Sequence, residues 1–238
     1  MNNLRFYIPE LNNTYYGPIV ISAIMIGLII SCILMYKADV RKETLIYTSI
    51  FTFVCIFIFS AMISIALSGD IRRVGFVGAG GALGLLVGAI ISALIHQDHI
   101  SESISAWIIS APLMYGLSKI GCHIAGCCNG IPYDGLFRIT YASKGHHSYF
   151  PVQLTETIVF VIIFLIGFKL YLRSESKLKT AGFILLLSGI SKVLLEFLRE
   201  SHMGKVISGY QILVLAITLT GTSALLVLNH KLYSSRTA

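Results

Sequence analysis

Long apolar runs alternate with short polar links along the chain, at about 17–36, 46–68, 77–95, 105–126, 152–172, 180–198 and 208–229. Several approach or exceed the roughly 20 residues that a helix needs to cross a bilayer. The pattern predicts an all-α fold, a polytopic membrane protein of about seven transmembrane helices. Short links suit antiparallel neighbours in a bundle. The exception is Cys127 to Pro151, a longer link rich in Gly, Tyr, His and Ser. A link of that length points to function, so the chain reads as a single transmembrane domain over 1–238, with an outer-face link or small head region at 127–151.

Composition excludes a soluble protein. Hydrophobic residues make up 55% of the chain and charged ones 12%, and mean hydropathy is +0.81. No soluble core needs that much apolar surface. Met1 to Tyr16 is polar and aromatic with Pro9 in its midst, so no cleavable signal peptide is expected there.

Basic residues in the links predict orientation. Lys37, Arg41, Lys42, Lys169, Arg173, Lys177, Lys179, Lys231 and Arg236 fall on one side, nine in all. Arg5, Arg72, Arg73, Arg138, Lys144, Arg199 and Lys205 fall on the other, seven in all. The difference favours an outside N-terminus and a cytoplasmic C-terminus. Seven cations on the outer side exceed what topology asks for, and either an imperfect topology signal or an anionic lipid headgroup accounts for them.

Two lysines remain, both inside spans. Lys119 lies in the fourth and Lys192 in the sixth, where a charge needs a partner or a wet cavity. Lys192 precedes Glu196 by four residues, so the two share a helix face. Gln153 and Glu156 open the fifth span just after Pro151. The run GAGGALG at 78–84 serves either close helix packing or, through the amides of Gly80 and Gly81, an anionic headgroup.

The segment GCHIAGCCNG at 121–130 holds three of the five cysteines. Four readings of Cys122, Cys127 and Cys128 stand open: soft-metal ligands with His123, a disulfide, a nucleophilic thiol activated by Lys119, or compact packing at a helix end. The C-x-x-C spacing of many metal sites is absent. Cys32 and Cys55 read as core thiols. His146 and His147, in the long link, form a candidate base pair.

Taken together these pieces resemble bacterial prolipoprotein diacylglyceryl transferase. The resemblance runs in order through Tyr16-Gly17, GAGGALG (78–84), GLSKIGCHIAGCCNG (116–130), FPVQLTE (150–156) and SKVLLEFLRE (191–200). It implies a multi-pass protein of the bacterial inner membrane with a polar cavity open to lipid. It also implies transfer of a diacylglyceryl group from phosphatidylglycerol to a cysteine thiol of a lipoprotein precursor carrying a lipobox. No cofactor and no nucleic-acid partner are expected. Carried over residue by residue, the family's signature arginine falls on Lys119 and its sixth-span arginine on Lys192. Glu196, Arg199, Gly130, Gln153, Glu156 and Tyr16 match directly. The family's histidine falls on Ala79, and its asparagine and glutamate fall on Cys122 and Cys127. The residues and the resemblance together give Lys119, Lys192, Glu196, Cys122 and Cys127 as the candidate catalytic set. Tyr16, Gly80, Gly81, Gly130, Arg138, Gln153, Glu156 and Arg199 are the candidate binding set. Related enzymes using a Cys122 or Cys127 nucleophile, or a non-catalytic lipid-binding or transport protein, are the alternatives.

Overall fold

In the computed structural model, described for residues 4–8, 13–72, 74–97, 99–141 and 147–237, the apolar runs are helices. They are α1 (Tyr16–Lys37), α2 (Lys42–Ser68), α3 (Gly78–His96), α4 (Ile100–Ala125), α5 (Val152–Arg173), α6 (Lys177–Glu196) and α7 (Gly209–Thr237). All but α4 are long and apolar enough to cross a membrane by length and composition. The chain is a polytopic helical membrane protein.

The helix that misses that criterion is the one the others surround. α4 packs against α1, α3, α5 and α6, and every residue from Ser103 to Ser110 is buried. A helix walled in by protein needs little lipophilicity, so it tolerates Ser103, Ser105 and Ser110 fully buried. α2 lies outside α3, and α7 outside α6. α2 turns Ile46, Ile50, Val54, Ile58 and Met62 outward, as lipid contact asks. Its small polar residues Thr44, Thr48, Thr52, Ser60 and Ser64 point inward.

Close approach makes the α2–α3 seam. A Cβ on Gly80 would stand 2.6 Å from the Phe59 carbonyl oxygen, and one on Gly84 2.3 Å from that of Cys55. Real Cβ atoms do not come so near, so glycine at this spacing lets the two backbones touch. At the end of the seam the Ser60 hydroxyl accepts the Val77 N–H at 2.8 Å, and the Ser64 hydroxyl that of Gly75 at 2.8 Å.

The long link is more ordered than its composition suggests. Phe137–Tyr141 (β2) pairs in parallel with Leu4–Ile8 (β1), in register Leu4 to Phe137 and Ile8 to Tyr141. It pairs antiparallel with Ser148–Tyr149 (β3). This three-stranded sheet caps the end of the bundle where α4 ends and α5 begins. The strands are too short, and β1 too far from β2 in sequence, for alternation to reveal them.

Candidate functional site

Four elements bring charge to one point beneath the sheet. Glu156, one turn into α5, is fully buried at the centre. Arg199, just past α6, donates from Nη2 to both carboxylate oxygens, at 2.9 and 2.8 Å. Lys192 on α6 donates to Glu156 Oε1 at 2.9 Å and to Glu196 Oε2 at 2.6 Å, the latter pairing being the one that i,i+4 spacing predicts. Arg199 Nε lies 3.3 Å from Glu196 Oε2. Lys119 on α4 stands farther off, 3.6 Å from Glu156 Oε2.

Three cations against two carboxylates leave one positive charge in a buried place. Isolated buried charges are costly, and this arrangement persists because each one finds an opposite partner. Lys119 is the exception in degree. Its ammonium has three donors, and its carboxylate contact lies beyond hydrogen-bond length.

Two tyrosines complete the site, and neither was singled out from the sequence. Tyr115 donates its hydroxyl hydrogen to Glu156 Oε1 at 3.1 Å, and its ring lies under Lys119 Nζ at 4.6 Å from the centroid. The Tyr210 ring lies 5.1 Å from Lys192 Nζ. Tyr115 precedes Lys119 by four residues, so their shared helix face was a readable signal; Tyr210 sits at the start of α7 with no such mark. His202 was likewise passed over. It is buried against Phe197, with ring centroids 4.6 Å apart, and neither ring nitrogen has a hydrogen-bond partner among the described residues.

Next to the charges the interior is apolar. A cavity of about 110 Å³ runs between α3, α4, α6 and α7; Tyr115, Lys192 and Tyr210 line it together with aliphatic residues. Ala79 and Gly78 are in its wall, as are Ile108 and Pro112. Pro112 has no N–H to give the Ile108 carbonyl four residues back. No cysteine lines this cavity.

The other expected residues take varied places. Gly130 forms an isolated bridge with Arg199, and a Cβ there would stand 2.2 Å from the Phe150 carbonyl oxygen. Only glycine therefore lets this loop reach Arg199. Gln153, almost fully buried, donates to the Cys127 carbonyl at 2.8 Å and to the Tyr141 hydroxyl at 3.3 Å, tying α5 to the link and the sheet. Burial pushes the Tyr141 phenol up to about 12. Arg138 is buried on β2 but stands apart from the charge cluster, donating to the Asp134 carbonyl at 3.1 Å. Gly80 faces α2 and Gly81 the Phe76 ring; it is Gly78 and Ala79 that border the cavity. Tyr16, at the start of α1, lies within electrostatic reach of Lys119 and of Cys122, Cys127 and Cys128. His146 lies outside the described residues, and His147 is exposed.

The three clustered cysteines meet. Their Sγ atoms all lie within 4.8 Å of one another, with Cys122 buried and Cys127 and Cys128 exposed.

A family model described as prolipoprotein diacylglyceryl transferase matches residues 3–227. The chain is also 28% identical over 139 residues to "Phosphatidylglycerol--prolipoprotein diacylglyceryl transferase 2" of Clostridium perfringens (strain 13 / Type A). That match covers 56% of this chain and 53% of the relative, so the chain spans about half the length of the curated relative it matches.

Proposed function

The chain belongs to the prolipoprotein diacylglyceryl transferase family, and on that premise we propose that it moves a diacylglyceryl group from phosphatidylglycerol to a cysteine thiol of a lipobox-bearing lipoprotein precursor. The head end, with the N-terminus, faces the outside of a bacterial inner membrane, and the C-terminus faces the cytoplasm.

One observation carries the reading: a buried charge cluster with one positive charge in excess adjoins an apolar cavity among membrane helices. A phospholipid has that same division between an anionic head and apolar tails. The phosphate is received chiefly by Lys119, the cation least committed to a carboxylate, and next by Lys192. Glu156 and Glu196 hold Lys192 and Arg199 in place. The cavity's 110 Å³ is below the roughly 300–1,000 Å³ of pockets that enclose a whole small ligand. The tails therefore extend into the bilayer while the reacting carbon stays near the charges. In the reaction the acceptor sulfur bonds to the glyceryl carbon and the bond from that carbon to the phosphate oxygen breaks. The electron pair leaves with glycerol phosphate, and the thiol proton passes to the departing phosphate or to water. Fixed cations beside a departing phosphate commonly lower the barrier by a few kcal/mol. Gln153, Gly130 and Tyr16 support the mouth of the site, with Arg138 farther out.

A second reading has an observation behind it. Ala79 stands at the cavity wall where the family carries a histidine, and alanine moves no proton. On that reading the protein binds the lipid without transferring it. A Cys122 or Cys127 nucleophile is less well supported, since neither residue lines the cavity.

The test is purified full-length protein in detergent with phosphatidylglycerol labelled in its headgroup glycerol and a lipobox peptide. Transfer releases labelled glycerol phosphate and adds the diacylglyceryl mass to the peptide. Retention of lipid with no release and no modified peptide would overturn transfer in favour of binding.

A further inference from the structure

The turn that ends α4 gathers chemistry that the transferase reading leaves unused. Two residues of left-handed backbone shape it. Gly126 has φ 62°, and its N–H turns back to the His123 carbonyl while that of Cys127 bonds the Cys122 carbonyl at 3.1 Å. This closes the helix as a glycine cap does. Cys128 then has φ 57°, a conformation that a residue with a Cβ adopts only at some cost.

That strained residue answers the main objection to a metal site, which is that consecutive side chains diverge. In extended backbone Cys127 and Cys128 would point to opposite sides. With Cys128 left-handed, both sulfurs come within 4.8 Å of the Cys122 sulfur and of each other. Three sulfurs at about 2.3 Å from one ion stand about 4 Å apart, so closure requires shifts of about an ångström or less.

We propose that Cys122, Cys127 and Cys128 form a three-thiolate site for a single thiophilic d10 cation of the Cu(I), Zn(II) or Cd(II) class. Thiolates select such soft ions over hard ones. Exposure of Cys127 and Cys128 supplies an entry path, and buried Cys122 anchors the site to α4. Binding sends the three thiol protons to solvent and leaves a complex of net charge −1 with a divalent ion or −2 with Cu(I). Lys119 and Arg199, both electrostatic neighbours of Cys128, are placed to offset that charge. The Gln153 bond to the Cys127 carbonyl fixes the loop from behind. None of this depends on the transferase reading.

The test titrates reduced, full-length protein in detergent with Cd(II) under anaerobic conditions. A thiolate-to-metal charge-transfer absorption should grow to one equivalent per chain. Cys122→Ser, Cys127→Ser and Cys128→Ser should each weaken binding about tenfold or more, whereas the Cys32→Ser/Cys55→Ser double variant should retain it. Alkylation of the wild-type protein provides a check that needs no variant to fold: Cd(II) should slow maleimide labelling of Cys127 and Cys128. Three results would overturn the site: no absorption, absorption that survives loss of all three clustered cysteines, or labelling of Cys127 and Cys128 indifferent to Cd(II).

Discussion

The α2–α3 seam and the charge cluster around Glu156 are both close-packed and both depart from what a membrane interior prefers, but for opposite reasons. The seam brings backbone against backbone by removing side chains. Gly80 and Gly84 face the Phe59 and Cys55 carbonyls, and serines meet the N–H groups of the adjoining turn. Everything in it is neutral, and its serines are satisfied, although the buried Thr48 and Thr52 hydroxyls have no hydrogen-bond partner among the described residues. The cluster brings together five charged side chains from α4, α5, α6 and the segment just past α6. Its geometry costs desolvation and leaves a charge over. A region built only for stability looks like the seam; the cluster's unneutralised charge beside a cavity suits a ligand.

Substitutions can break that contrast, and the largest effect belongs to the cluster's centre. Glu156→Ala leaves three cations without their common carboxylate. The expected loss is about 3–5 kcal/mol, as for breaking a buried pair from one side, read as a fall in the thermal midpoint in detergent together with lost glycerol phosphate release. Equal stability to the unaltered protein would show that Glu156 is not the keystone of the cluster. Gly84→Val tests the seam. Its Cβ must displace backbone rather than a side chain, so about 1–3 kcal/mol of destabilisation is expected. Lipid binding per folded molecule should persist, because the seam holds no ligand.

Lys119→Met separates the two kinds of role within the cluster. Its carboxylate contact is the loosest, at 3.6 Å, and Lys192 and Arg199 still pair both carboxylates once it is gone, so the thermal midpoint should fall by roughly half as much as in Glu156→Ala or less. Release of glycerol phosphate should nonetheless fall about 10²–10³-fold, with partial recovery in Lys119→Arg. A stability loss as large as that of Glu156→Ala would make Lys119 structural. The smallest effect is a control of opposite sign. Gly17 has open space where a Cβ would go, so Gly17→Ala should raise the midpoint slightly, by the equivalent of about 0.4–1 kcal/mol.

How legible these regions were from sequence follows from how local they are. Apolar runs mark the helices because each span is continuous, and the structure shifts their ends by about five residues or fewer, except that α7 runs on past the expected end at 229 to Thr237. Yet periodicity treats α4 as one span among seven, whereas packing makes it the hub; its buried serines are the trace of that, and they read as ordinary polarity. Within the cluster, Lys192, Glu196 and Arg199 were readable from i,i+4 and i,i+3 spacing on one segment. By spacing, Glu156 showed itself only as a carboxylate near a span boundary, and it was the family resemblance of FPVQLTE that marked it; Tyr210 did not show itself at all, since its partners come from other helices. Arg138 looked like a fourth headgroup cation by count of charges, but β2 holds it against Asp134. The cysteines advertised themselves by crowding. Their convergence depended on a backbone angle at Cys128 that no spacing rule predicts.

The parallel pairing of β1 with β2 has a consequence for assembly. β1 is synthesised more than a hundred residues before its partner, with α1, α2, α3 and α4 made between them. Closing so long a loop is slow compared with forming local contacts, so β1 waits while the helices enter the membrane. The sheet is then a latch that closes on a bundle already formed. Trimming β1 should leave insertion of the helices intact and loosen the cover over the charge cluster.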